Sequence, residues 1–244
     1  MRLDQYLASV GLARSRTEAA DLISEGAVSV FGTIRTKPSY AVDEGLLPEN
    51  IVISREAHPY VSRGGEKLAA ALAAFALSPR GCTAIDIGAS SGGFTDCLLQ
   101  NGAETVFAVD VGEGQLVPTL RADARVLSFE HYNARFLKRE DFPKIPNFAV
   151  MDVSFISQTL ILPALAAMLP SGAPYIGLIK PQFEVGREGL GKGGIVRDDR
   201  LRREAVARVV EAATSVGLSH VGTINSPILG KDGNREFLSA FIKE

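Results

Sequence analysis

An α/β fold is what this sequence predicts: a mostly parallel sheet with helices on both faces, preceded by a small α+β unit. Three observations lead there. Between residues 83 and 216, apolar stretches of strand length alternate with stretches of helical periodicity, the pattern a parallel sheet with crossover helices produces. The segment AIDIGASSGGFTD, residues 84–96, runs from an apolar strand through an acidic residue and a glycine-rich turn into a helix start, an arrangement that holds nucleotide-like ligands. The first fifty residues follow another order: helix, helix, hairpin.

In the leading unit Leu3, Tyr6, Leu7 and Val10 recur at helical spacing, and Gly11 ends that helix. Ser15-Arg16-Thr17-Glu18 reads as a capping box that starts a second helix, with Ala19, Leu22 and Ile23 on its core face and Gly26 as its stop. AVSVFG and TIRT alternate around Gly32 as a short hairpin, which Pro38 closes. Residues 51–63, with His58-Pro59, suit a linker or a short edge strand, so the domains are expected at 1–60 and 61–244. GGEKLAAALAAFAL then gives a helix with Leu68, Leu72 and Phe75 on one face, ending before Pro79. Strands are expected at 83–87, 104–110, 125–129, 148–152 and 173–180, and helices at 92–101, 113–122, 157–168 and 198–216. Two last strands, near 219–226 and 236–242, are close enough to pair as an antiparallel hairpin.

Of the 244 residues 46% are hydrophobic and 22% charged, ordinary for a soluble globular protein of one or two domains. The start has no cationic segment leading into a long apolar run, and apolar stretches such as 160–169 are short and carry proline. Secretion and membrane spanning are therefore not expected. Cys82 and Cys97 are too few for a disulfide framework and fit no metal-binding spacing, which predicts reduced thiols, a cytoplasmic location and no metal. A formal net charge of −2 carries no global signal for nucleic acid. An RNA role has to rest on local clusters, at Arg14 with Arg16, Arg35 with Lys37, Arg63 with Lys67, and along 187–208.

The loop's details select among ligands. A phosphate loop requires lysine followed by serine or threonine at the helix start, and GASSGGFTD has neither in place. A dinucleotide site uses Gly-x-Gly-x-x-Gly against a pyrophosphate, but here Gly88 is followed by Ala-Ser-Ser before Gly92-Gly93, and the Asp86 carboxylate would repel an anion. S-Adenosylmethionine reverses the charge argument, because it carries an ammonium and a sulfonium. A second acid, Asp110, ends the next strand, where this topology holds ribose hydroxyls.

The acceptor follows from what stands after the fourth strand. Amino-group methylation is usually served there by an Asn/Asp-Pro-Pro-aromatic tetrad and pyrimidine-carbon methylation by a nucleophilic cysteine. This chain has MDVSFIS, with Cys97 inside a helix and Cys82 ahead of a strand. Oxygen is the expected acceptor. A ribose 2′-hydroxyl must lose its proton as it attacks, and a desolvated lysine can take that proton. Lys180 ends the apolar strand APYIGLIK, at the carboxyl edge where such sheets bind ligands.

VSRGGEKLAAAL, DIGASSGGFTD, VDVGEGQL, MDVSFIS, LIKPQFE and GNREFL together resemble, nearly end to end, the TlyA/hemolysin A family of ribosomal-RNA methyltransferases. The resemblance implies a Rossmann-like S-adenosylmethionine-dependent methyltransferase fold of the FtsJ type, a mostly parallel seven-stranded sheet with an antiparallel last strand. It also implies that the leading unit is the RNA-binding module named after the small-subunit ribosomal protein S-four, although Phe31 stands where that module commonly has asparagine. The implied activity is 2′-O methylation of ribosomal RNA, of a cytidine, through a Lys-Asp-Lys-Glu tetrad at Lys67, Asp152, Lys180 and Glu236. In that tetrad Lys67 follows two glycines at a helix start, an unfavourable place for a cation unless an anion compensates. Asp152 can orient the lysines, and Glu236 can orient Lys180 or be an edge-strand charge. Adenosyl contacts are implied for Asp86, Gly88, Ser90, Gly92, Gly93, Phe94 and Asp110, with Asn133 of HYNAR near the adenine. RNA contacts fall on Arg2, Arg14, Ser15, Arg16 and Arg63, with ribosomal RNA or ribosomal subunits as partners and the chain acting alone or as a homodimer.

Two other classes compete. The family's second name suggests a membrane-lysing protein, which needs an amphipathic or apolar segment able to enter lipid, and none is evident in the sequence. An RNA-binding ribosome-assembly factor could keep the fold without the chemistry.

Overall fold

The computed structural model describes residues 1–244 apart from 14, 15, 25, 44, 54–58, 231 and 232, and apart from the side chains of 17, 18, 21, 24 and 187. The chain divides into two compact units, Met1–Ala57 and His58–Glu244.

In the first unit helices α1 (Leu3–Ser9) and α2 (Arg16–Ser24) accompany a three-stranded antiparallel sheet of order β2 (Thr33–Arg35), β1 (Val28–Val30), β3 (Ile51–Ile53). The strand period of two buries Val28 and Val30 of β1 together with Ile51, in one cluster with Leu3, Leu7, Ala19 and Ile23 of the helices. Residues 51–53 are thus an edge strand. The β1–β2 turn places Phe31 at φ +50° and Gly32 at φ +74°, the paired left-handed conformation of a two-residue hairpin turn. Asparagine tolerates that conformation better than a bulky side chain does, which is the physical sense of the departure at Phe31. The expected capping box at Ser15 lies outside the described residues.

The second unit is built on a seven-stranded sheet of order β6-β5-β4-β7-β8-β10-β9. Its elements follow in sequence: α3 (Gly64–Ala74), β4 (Thr83–Ile87), α4 (Gly93–Gln100), β5 (Thr105–Val109), α5 (Pro118–Arg121), β6 (Val126–Phe129), β7 (Phe148–Met151), α6 (Leu162–Met168), β8 (Pro174–Ile179), α7 (Pro181–Glu184), α8 (Asp199–Ser215), β9 (Leu218–Asn225) and β10 (Phe237–Lys243). Strands β4 to β8 pair in parallel, and β10 runs antiparallel to both of its neighbours. Alternate residues serve opposite layers. Ile85, Ile87, Val109 and Met151 pack with Leu162 and Leu165 of α6 and Val209 of α8, whereas Ala84, Val106, Ala108 and Val150 pack with Leu68 of α3, Leu98 of α4 and Leu120 of α5. Asp86 belongs to the second set by register, so its carboxylate is directed at α4.

Two expectations are revised. The helix expected at 113–122 shrinks to Pro118–Arg121, because Gly112 and Gly114 cannot nucleate it and the preceding loop is claimed by carboxylates: Gly112 N–H donates to Asp110 at 2.8 Å and Gly114 N–H to Glu130 at 3.0 Å. The helix expected at 157–168 opens as a 3₁₀ turn, Gln158–Leu160, and becomes α-helical only from Leu162, with Pro163 in its first turn. The expected antiparallel hairpin of the last two strands is present, and it joins the sheet through β10, which lies between β8 and β9.

Candidate active site

The carboxyl ends of β4, β5, β7 and β8 lie side by side, and the loops leaving them carry most of the residues singled out above. Asp86 sits within β4 and is fully buried. Its Oδ2 accepts from Thr95 Oγ at 2.7 Å, while Oδ1 is buried without a hydrogen-bond partner. Burial pushes the Asp86 carboxyl up to about 7, and the nearby Asp152 and Asp110 charges add to that against the Thr95 bond. Asp110, just beyond β5, is aimed by two backbone donors, Ser90 N–H at 2.9 Å and Gly112 N–H at 2.8 Å. Between these acids runs the loop from Gly88 to Gly93.

Each glycine of that loop answers a specific approach. Gly88 has φ +83°, and a Cβ there would stand 2.4 Å from the Asp152 carbonyl oxygen, so the loop can lie on the end of β7 only with glycine. Gly92, at φ +99°, has Leu120 and Leu116 against it, and a Cβ on Gly93 would meet Ser62 Oγ at 2.2 Å beside the start of α3. Ser90 adopts φ +48° at the exposed tip, its Oγ 3.2 Å from Gln115 Oε1. Phe94 is buried among the α3 and α4 side chains and supports the loop from within. Asn133 caps the 3₁₀ turn Ala134–Phe136 by accepting from Arg135 N–H at 3.1 Å. A cationic aminoacyl nucleoside fits this arrangement: Asp86 Oδ1 lacks a donor, and Asp110 is a pre-oriented acceptor.

Asp86 also makes a stability prediction. Its carboxyl is raised in the folded state, so the folded chain binds more protons than the unfolded chain between about pH 4 and 7. Stability is then greatest below the unfolded value and declines as pH rises through about 7, by at most on the order of 4 kcal/mol from this group. Urea unfolding of the ligand-free protein should show that decline, and Asp86→Asn should flatten it. Equal slopes in the two proteins would refute the assignment.

The four tetrad residues fall into two ion pairs. Lys180, between Ile179 of β8 and Pro181 of α7, places Nζ 2.6 Å from Asp152 Oδ1 and donates to Ser154 Oγ at 2.9 Å. The Asp152 contact lies off the hydrogen-bonding direction, so it is a charge contact and the bond to Ser154 is the directed one. Lys67, in the first turn of α3, donates to Glu236 Oε2 at 2.6 Å, and both side chains are buried. Glu236 is therefore the anion that compensates a cation at a helix start. It faces Lys67 rather than Lys180, and because β10 is an interior strand it is not an edge charge. A Cβ on Gly230 would come within 2.3 Å of Glu236 Oε1, so Gly230 lies directly against that carboxylate.

Residues 60–243 match the FtsJ-like methyltransferase family, and residues 1–47 match the S4 domain. The chain belongs to the FtsJ-like methyltransferases. Over 243 residues it is 44% identical to hemolysin A of Brachyspira hyodysenteriae, covering 99% of this chain and 100% of that protein. It is also 44% identical over 236 residues to the 16S/23S rRNA (cytidine-2'-O)-methyltransferase TlyA of Mycobacterium tuberculosis, covering 97% and 87%. A solved structure described as a hemolysin, from Streptococcus thermophilus, shares 46% identity and a TM-score of 0.80, with 100% of this chain and 88% of that chain covered. Among the described residues, no helix is long and apolar enough to cross a membrane, and no group of His, Cys, Asp and Glu could hold a metal ion.

This FtsJ-like methyltransferase carries features at the same sheet edge that the sequence reading missed. Phe155 is 93% exposed and held at φ +64°, a costly conformation for a bulky residue, and its ring centroid lies 5.2 Å from that of Phe183. Glu184, buried in α7, accepts from Ser157 Oγ and from Gln158 N–H, so the loop after β7 is tied to the turn after β8. An exposed aromatic beside the MDVSFIS acid was the available signal. Of the expected RNA contacts, Arg14 and Ser15 lie outside the described residues. Arg2 and Arg16 are brought together on one buried carboxylate, Asp4, at 2.9 and 3.0 Å. Burial alone would raise the Asp4 carboxyl, but the bonds from both guanidinium groups hold it below the usual carboxylate range. Arg63 stands just ahead of α3, at the helix start that packs on the glycine loop.

Proposed function

We propose that this FtsJ-like methyltransferase transfers a methyl group from S-adenosylmethionine to a ribose 2′-hydroxyl of ribosomal RNA, on a cytidine. The observation that carries the reading is Lys180 at the end of β8, held between Asp152 and Ser154 beside a loop flanked by Asp86 and Asp110. Bound S-adenosylmethionine supplies an electrophilic methyl group on a sulfonium. Asp110 would hold the ribose of that cofactor, Asp86 its ammonium, and the Gly88–Gly93 backbone would lie against it.

The chain's own work is to place and deprotonate the acceptor. Lys180 Nζ, once it has released its extra proton to solvent, accepts the hydroxyl proton, and Asp152 stabilises the ammonium that results. Lys67, fixed by Glu236, adds a positive charge that favours the developing alkoxide. Cysteine chemistry on a pyrimidine carbon has little support: Cys97 is buried, and burial pushes its thiol up to about 12. Phe155 with Phe183 offers a stacking face for the target base, which orients the ribose toward Lys180. Phe155→Ala should weaken productive RNA engagement by about 1–3 kcal/mol, read as a loss in kcat/KM for RNA at unchanged cofactor affinity.

The likeness to the 16S/23S rRNA (cytidine-2'-O)-methyltransferase and the match to the S4 domain both support ribosomal RNA as the partner. The test is labelled methyl transfer to 16S and 23S rRNA and to separated subunits, followed by mapping of the product. A methyl group on a base, or no transfer to any of these, would sink the reading.

A further inference from the structure

The terminal amine of a lysine rotates about its last carbon–nitrogen bond, so a nearby charge can attract it without deciding where its lone pair points. At Lys180 the two contacts differ in kind. Asp152 Oδ1 is the closer, at 2.6 Å, but lies off the hydrogen-bonding direction, whereas Ser154 Oγ accepts a directed bond at 2.9 Å. We propose that Ser154 is a positioning residue that fixes the rotation of the Lys180 amine and hence the direction of its lone pair. The proposal rests on Lys180 being the base. When the ammonium loses one proton, one N–H stays on Ser154, a second stays toward Asp152, and the lone pair takes the remaining tetrahedral direction.

The frame around this contact is built to keep it. Ser154 is on a loop, but that loop is bolted to the strand from which Lys180 projects. Gln158 Nε2 donates to the Leu178 carbonyl of β8, and Tyr175 of the same strand donates its hydroxyl to Gln158 Oε1 at 2.8 Å. From the other side Glu184 of α7 accepts from Gln158 N–H at 2.9 Å and from Ser157 Oγ. Donor and acceptor of the Lys180–Ser154 bond therefore hang from one hydrogen-bonded unit, although Ser154 itself is exposed.

Ser154→Ala, Ser154→Thr and Lys180→Arg should be compared in the full-length protein with labelled S-adenosylmethionine and the rRNA that the wild type methylates. Ser154→Ala should lower kcat by roughly ten- to a hundredfold, the scale on which a misplaced group costs turnover, with KM for the cofactor unchanged. Ser154→Thr, which keeps the hydroxyl, should restore most of it. In the protein alone, the ¹⁵N NMR signal of the Lys180 side chain should lose its slowed, hydrogen-bonded character in Ser154→Ala and regain it in Ser154→Thr. An unchanged or raised kcat in Ser154→Ala, or a loss that threonine fails to restore, would overturn the proposal. Turnover retained by Lys180→Arg would instead overturn the assignment of the base.

Discussion

Lys180→Arg is expected to lose roughly 10²- to 10⁴-fold in methyl-transfer turnover, the contribution of a positioned base, while binding the cofactor as the wild type does. Arginine keeps the positive charge that faces Asp152 and the bulk that follows Ile179, so the electrostatics of the pair survive. A guanidinium, however, does not give up its proton in a protein and cannot receive another. The substitution thus separates charge from basicity, which Lys180→Ala does not. Calorimetry with S-adenosylmethionine supplies the control, and near-normal turnover in Lys180→Arg would mean that the base has to be sought elsewhere.

The second large effect is expected at Lys67. Lys67→Met strands the Glu236 carboxylate in a buried position, and breaking a buried pair in this way costs about 3–5 kcal/mol. Removing both charges, in Lys67→Met with Glu236→Gln, should recover much of that loss, because two desolvated ions are replaced by neutral groups. Turnover should stay low in the double variant. Urea unfolding and methyl transfer measured on the same preparations separate the two roles, and activity returning together with stability would show the pair to be scaffolding only.

The sheet was legible in the sequence because its strands are short apolar runs broken by glycine and charge, and register then follows from which face each run buries. DIGASSGGFTD gave away the loop for a comparable reason, since Gly88 answers a contact with the neighbouring strand that any side chain would obstruct. What could not be read was which charges meet. Lys67 and Glu236 are 169 positions apart, and their pairing depends on β10 entering between β8 and β9, a choice made by the packing of Leu238 and Ala240. The same holds for Ser154 and Phe155, whose proximity to Lys180 and Phe183 follows from β7 and β8 being neighbours. The missing helix at 113–117 is a local failure: glycines and side-chain acceptors outbid helical periodicity in a short loop.

The insertion of β10 has a consequence for the order of events during synthesis. A ribosome-bound chain that has emerged only as far as β9 contains Lys67, Asp86, Asp110, Asp152 and Lys180, yet its sheet still has a gap beside β8 where β10 belongs. Lys67 has no counter-ion in such a chain, and the helix that bears it lacks the Leu238 and Ala240 packing from that strand. In the proposed mechanism the segment leading into β10 therefore supplies the last member of the tetrad in chain order. The proposed chemistry thus depends on the docking of β10, which brings Glu236 onto Lys67 from 169 positions away.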